Sequence, residues 1–392
     1  MGKWRRKKKS KLCTCRRRDK DNSSGLSISE ESVSKISNKD SNADMTGSTH
    51  SCRLCGKEQA DKKGSHIVPH FLLKRVINIE GKTQRDYELG FRIDKMGMSS
   101  HFGRAVQPEK LEETFGEISD EDIANNQQQL VVDNYYCSGC EKRFSLIESA
   151  YSKTLNKIET EVYESGVSTI LGLLFWGSVV WRMSNHGKSG VKLKYEQEEL
   201  LRSILDKYLP KEDINELNFV DFDSIEDLSR ISYKLIRFND IEENDSKFLI
   251  ADPEYDNCFV LLIDEFILAF TFDKNYEDFK KNGKLELEKL FGSVEESELN
   301  GNEKIHPFAK DVYTNIRKKL IDIAKDQYYA GVSEYCDIIH RKLGGQGDTM
   351  PQEIKNEIFQ ELALTEKKLG RKYTQEDLVS SAMKVMQKYC KN

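Results

Sequence analysis

The sequence predicts an α+β protein: a cysteine-bounded module followed by a larger, mostly α-helical domain with a small β element. Three observations carry this. Two Cys-x-x-Cys pairs, Cys52–Cys55 and Cys137–Cys140, bracket a polar, turn-rich stretch. Amphipathic helical patterns dominate from residue 160 onward. One apolar stretch, "KFLIADPEYDNCFVLLIDEFILAFTF" at 247–272, reads instead as two strands around an Asp-Pro turn, with Asp256 and Asn257 closing the loop.

In chain order, residues 1–48 are poor in apolar side chains and rich in Lys, Arg, Ser, Asp and Asn, which predicts a disordered tail. Cys13 and Cys15 fall in its basic run and carry little weight as metal ligands. Met45 stands seven residues before Cys52, so the tail could be an upstream extension of the true start. Residues 49–155 form the module. Within it "SCRLC" reads as a knuckle and "SHIVP" as a short strand. Pro69 suits the first turn of a helix, where its missing N–H costs nothing, and "HFLLKRVIN" continues that helix. The polar region at about 80–130, with Gly81, Gly90, Gly97, Gly103 and the run "NNQQQ", reads as a long insertion carrying irregular strands. The second cysteine pair opens a helix with Phe144, Ile147 and Tyr151 at core spacing.

Residues 156–392 form the larger domain. "EQEELLRSILDKYL" and "SIEDLSRISYKLIRF" read as amphipathic helices, and 305–340 and 351–391 as further helices separated by "LGGQGDTMP". "VSTILGLLFWGSVVW" at 167–181 is about 15 residues long, short of the roughly 20 apolar residues a spanning helix needs, and reads as a buried core helix. No secretory-like segment precedes the cysteines, and the expectation is a cytoplasmic protein without a membrane partner. Arg6 stands where a myristoylation signal needs Ser or Thr.

The net charge of −5 hides an asymmetry. Residues 1–20 hold eleven Lys or Arg against one Asp, so the rest of the chain carries about −15. A body that acidic excludes general, whole-surface nucleic-acid binding and confines such contact to a local patch or the tail. Residues 62–104 supply a patch of the right sign, nine Lys or Arg against four Asp or Glu.

Two Cys-x-x-Cys pairs are the usual composition of a closed tetrahedral zinc site. Zinc favours soft sulfur, and a two-residue spacer lets one tight turn present two thiolates. Cys52, Cys55, Cys137 and Cys140 are therefore the candidate ligands of a structural Zn²⁺. Disulfides and a thioredoxin-like redox pair are the weaker readings.

Two knuckles with "SHIVP" between them, the second knuckle opening a helix, describe a treble-clef ββα-metal arrangement. The chain here resembles the HNH endonucleases, over about 100 of its 392 residues. The resemblance implies His66 as general base, Asn134 (with Asp133 beside it) as the residue that orients the base, and Glu141 as a ligand of catalytic Mg²⁺ or Mn²⁺. His70, four residues after His66, is a candidate second ligand or phosphate contact. Ser65 stands where the family has an acidic residue, and Glu141 where it has Asn or His, so the metal site is moved or lost. Glu148 reads as a solvated or salt-bridged residue and His101 as a surface residue of the insertion.

The function this implies is metal-dependent hydrolysis of phosphodiester bonds, DNA favoured over RNA. The competing class is a catalytically inactive zinc-binding module for nucleic acid or protein. The C-terminal domain, which has no motif of its own, is the place for a protein partner.

Overall fold

The structure, a computed structural model, describes residues 50–78, 82, 84–93, 98–115, 126, 130–186, 192–219, 226–241, 249–252, 258–272, 287–342, 345–369 and 373–390. The tail at 1–48 and the turn carrying Asp256 and Asn257 lie outside these. Thr49–Tyr329 make one compact unit, and the helical residues from Ala330 onward belong to a second.

The first unit begins with the two knuckles, which are tied by backbone bonds. Arg53 N–H donates to Tyr135 O at 2.9 Å and Lys62 N–H to Tyr136 O at 3.0 Å. Gly56, at φ +67, makes the turn that follows Cys55. Strand β1 (Ser65–His66) pairs antiparallel with β4 (Val131–Val132). Helix α1 (His70–Ile77) starts directly after Pro69, and α3 (Ser138–Tyr151) starts directly after Cys137, whose sulfur accepts the Cys140 N–H. Asp61 accepts the Ser138 N–H at 2.8 Å, a carboxylate at a helix start. The insertion folds as a hairpin, β2 (Leu89–Ile93) with β3 (Met98–Phe102), followed by helix α2 (Pro108–Phe115).

Helix α4 (Thr169–His186) is buried from Thr169 to Ser184, the core helix the apolar run predicts. No helix among the described residues is long and apolar enough to cross a membrane. Helix α5 (Tyr195–Tyr208) packs on α4, and its C-terminal end is capped from α3: Arg143 donates to the carbonyls of Leu205, Asp206 and Leu209.

The β part is larger than two strands. β5 (Tyr163–Ser168), β6 (Ile231–Phe238), β7 (Leu249–Asp252), β8 (Cys258–Ile263), β9 (Phe266–Phe272) and β10 (Asn302–Phe308) form one sheet in the order β5-β10-β6-β9-β8-β7. Neighbours are antiparallel except β10 with β6. The segment "RISYKLIRF", read from sequence as helix, is therefore β6. Its residues alternate between two cores: Ile231, Tyr233 and Leu235 face the α4 side, while Ile236 and Phe238 join Phe291 and Tyr313 on the other. A strand buried on both faces loses the polar-apolar alternation that would mark it. The apolar stretch likewise holds three strands, because Asp264 and Glu265 form an unread turn between β8 and β9. Asp264 adopts φ +54 there.

The short helices α6 (Glu226–Ser229) and α7 (Leu287–Gly292) flank the sheet strands in sequence, and α8 (Lys310–Lys342) follows β10. In the second unit α9 (Gln352–Leu369) and α10 (Gln375–Cys390) pack on each other. There Lys355, buried, donates to Ser333 at 2.7 Å and pairs with Asp337 at 2.8 Å.

Candidate metal centre and the histidine cluster of the module

The Ser51–Gln59 bridge, the Arg53 N–H bond to Tyr135 O and the start of α3 at Cys137 bring the two cysteine pairs to one point. One ligand atom from each of Cys52, Cys55, Cys137 and Cys140 lies within 4.8 Å of all the others, and three of the four residues are buried. A hydrogen bond from Cys140, against burial, draws the Cys52 thiol down to about 4. The same contact and burial push Cys140 up, and burial pushes Cys137 up. Four sulfurs this close can hold a soft divalent ion such as zinc, which would favour their thiolate forms. Among the described residues this is the one such cluster.

The residues named by the resemblance divide between the two sides of β1. Ser65 is buried, and His66, next along the strand, points to the opposite side by the strand's pleat. The Ser65 hydroxyl stands by the Glu141 carboxyl, so Glu141 lies on the Ser65 side. Burial pushes the Glu141 carboxyl up, opposed by the Arg182 guanidinium and by Ser65. Arg182, from α4, is 1% exposed. It pairs with Glu148 at 2.8 Å and donates to the His66 carbonyl at 3.0 Å and the Ser178 carbonyl at 3.2 Å. Its guanidinium also lies 4.8 Å from the centre of the Phe144 ring. Glu148 is thus salt-bridged, one of the roles its position suggests.

Asn134 adopts φ +59, a left-handed conformation that Asn tolerates, and its N–H donates to Lys62 O at 2.7 Å. Asp133 accepts the Gly64 N–H at 2.7 Å. Both shape the turn between β4 and the second knuckle.

On the His66 side the rings of His66 and His70 are 5.2 Å apart between centres. The insertion adds two groups. Glu88, 1% exposed, stands with Oε1 3.3 Å from His70 Nε2 and Oε2 2.9 Å from His101 Nε2. Burial acts to raise its carboxyl, but the His101 and His70 contacts outweigh it and hold the group at about 2. His101 is therefore a partner of a buried carboxylate, which its reading as a surface residue missed. The hairpin can dock because Gly90 lies against Ile77 of α1, where a Cβ would sit 3.2 Å from Ile77 Cγ2.

Glu88 carries no local sequence signal, since its partners are 18 and 13 positions away. Arg182 did carry one. It is the single charged residue of α4, and a charge in a helix buried all round has to be paired. Comparison of the whole chain with protein-family models, with curated proteins and with solved structures finds no match.

Proposed function

We propose that the module is a zinc-held, metal-dependent nuclease centre of the HNH type, with His66 as its general base. The observation that carries this is the half-buried His66 next to His70, on a strand that pairs with β4 inside the module that carries the four-cysteine cluster. Zinc on Cys52, Cys55, Cys137 and Cys140 has no open position and serves as a structural pin between the first knuckle and the start of α3. The His66 imidazole takes the proton of the attacking water, which a neutral ring can do near neutral pH. A catalytic Mg²⁺ or Mn²⁺, when bound, supplies charge stabilisation at the phosphoryl and leaving oxygens. Lys62, Lys63 and Arg104 are exposed around this part of the chain and provide positive charge for the phosphate backbone, DNA favoured over RNA.

A second reading has its own support. Arg182 pairs with Glu148 and its charge also acts on Glu141, so the carboxylates on that side of β1 already have a fixed cation. That favours a binding module that keeps zinc and performs no hydrolysis.

The deciding experiment is a plasmid-nicking and RNA-cleavage assay with Mg²⁺ and Mn²⁺, on wild type and His66→Ala. Under the nuclease reading His66→Ala loses about 10²–10⁴ in rate while zinc content and melting temperature stay nearly unchanged. A wild-type chain that never cuts, with either ion and either nucleic acid, overturns the nuclease reading and leaves the binding module.

A further inference from the structure

We propose that Glu88 is a positioning residue of the module's nuclease centre, acting through His70. Its buried carboxylate, carried just before β2, fixes the His70 ring with Nε2 inward and leaves Nδ1 for the phosphodiester. That Nδ1 meets a phosphodiester rests on the nuclease reading; that Glu88 fixes the ring does not.

The geometry of the carboxylate is the first reason. Each of its oxygens faces one imidazole, Oε1 3.3 Å from His70 Nε2 and Oε2 2.9 Å from His101 Nε2. Against burial, the His101 and His70 contacts hold the group at about 2, so at neutral pH it is ionised and can only accept hydrogen bonds. An acceptor facing Nε2 selects the ring form that carries its proton there. The lone pair of the neutral ring then falls on Nδ1. A buried carboxylate sets the tautomer and the ring orientation of the histidine in a Ser-His-Asp triad by the same physics.

The second reason is how firmly Glu88 itself is held. Its backbone bridges to Asn78, the residue that ends α1, and its carbonyl accepts the Gly103 N–H, just past β3, at 2.7 Å. The carboxylate is thus anchored to the helix that carries His70 and to the hairpin that carries His101. His70 needs such a hold, because it stands at the first position of α1 with its side chain 31% exposed. Its ring lies 5.2 Å from that of His66 between centres, so its orientation shapes the surroundings of the proposed base.

The test uses the full chain and three variants: Glu88→Gln, His70→Ala and the two combined. Gln keeps the volume but offers donors as well as an acceptor, so it no longer selects one ring form. The first readout is nitrogen NMR with ¹⁵N-labelled histidine, at a pH where the rings are neutral, with the His70 signal assigned by its absence from His70→Ala. We expect one form in wild type, protonated on Nε2, and both forms in Glu88→Gln. The second readout is nicking. Glu88→Gln should lose at least about tenfold in rate. In the His70→Ala background the same change should cost little more, because Glu88 acts through that ring. Should Glu88→Gln fail to fold, the wild-type spectrum and Glu88→Asp in the two backgrounds still decide. A wild-type His70 ring protonated on Nδ1 or present in both forms, or equal rate losses with and without His70, overturns the positioning role and leaves Glu88 as a structural residue. A wild type that never cuts, yet shows the single Nε2-protonated form, overturns the nuclease reading and not the fixing of the ring.

Discussion

At the scale of single residues, the module's chemistry is governed by which buried charges have partners. Arg182 is the clearest case. It is enclosed by Phe144, Ser178, Glu148 and the β1 backbone, and Glu141 feels its charge. Replacing Arg182 with Met keeps much of the volume but strands Glu148 and deprives Glu141 of its cation. Breaking a buried pair from one side costs about 3–5 kcal/mol. We expect Arg182→Met to lower the unfolding free energy obtained from urea titration by that amount, with the midpoint moving down accordingly. Arg182→Lys should recover only part of it, since an ammonium cannot reproduce the fork of bonds to the His66 and Ser178 carbonyls. An unchanged midpoint for Arg182→Met would mean that Glu148 is solvated and the pairing adds nothing. The same residue marks the limit of local reading. That α4 is a core helix follows from its composition. That its one Arg ends among Ser65, Glu141 and Glu148 depends on tertiary contacts across more than thirty positions.

At the scale of elements, local signals were legible where a sequence device sets a boundary. Pro69 opens α1, Cys137 opens α3, and the apolar run becomes α4. They failed where burial is two-sided, as in β6, and where a turn is built from charged residues, as at Asp264–Glu265. That turn is stable because Arg75 of α1 and Arg237 of β6 both pair with Glu265, and Arg75 also with Asp264. The contact of α4 with β10 is also charge-bearing. Gly172 lets the helix approach so closely that a Cβ there would run into the Tyr233 hydroxyl and the Glu303 carboxyl. Glu303 is wholly buried and accepts from Tyr233 at 2.7 Å and Tyr151 at 3.1 Å. Burial nevertheless pushes its carboxyl from 4.5 up to about 7. The folded chain thus holds a proton that the unfolded chain releases. The stability this gives is complete below pH 4.5, falls as pH rises, and is gone above about 7. At about 1.4 kcal/mol per unit the swing is roughly 3 kcal/mol. Glu303→Gln keeps a neutral acceptor and cannot ionise. Its unfolding free energy should therefore decline less than wild type's between pH 5 and pH 8. Parallel pH profiles for the two chains would place the titration elsewhere.

At the scale of the whole molecule, the sequence divides the chain at 155/156, whereas the buried residues on the two sides of that division share one core. Cys52, Leu54, Cys137 and Phe144 belong to the same cluster as Phe175, Trp176, Trp181 and Phe270 of α4 and the sheet. Tyr136 and Phe144 meet Trp181 with ring centres 6.0 and 6.4 Å away. Tyr151 stacks on Phe175 at 4.0 Å, and its hydroxyl accepts from Trp176 Nε1. On the proposal that zinc pins the knuckles, its removal should therefore be felt well beyond them. Zinc binding in small modules is worth about 10 kcal/mol or more of folding energy, comparable to the whole stability of an ordinary domain. Cys137→Ser, or chelation of the native chain, should then lower the melting temperature of the Thr49–Tyr329 unit as one transition, with the near-ultraviolet signal of Trp176 and Trp181 lost in step with the far-ultraviolet helix signal. If zinc leaves and the tryptophan signal keeps its wild-type midpoint, the knuckles fold separately from the sheet and the 155/156 boundary is a true domain boundary. The shared aromatic packing argues for the single transition, because the buried face of α3 cannot loosen without exposing Phe144 and Tyr151, both fully buried against α4.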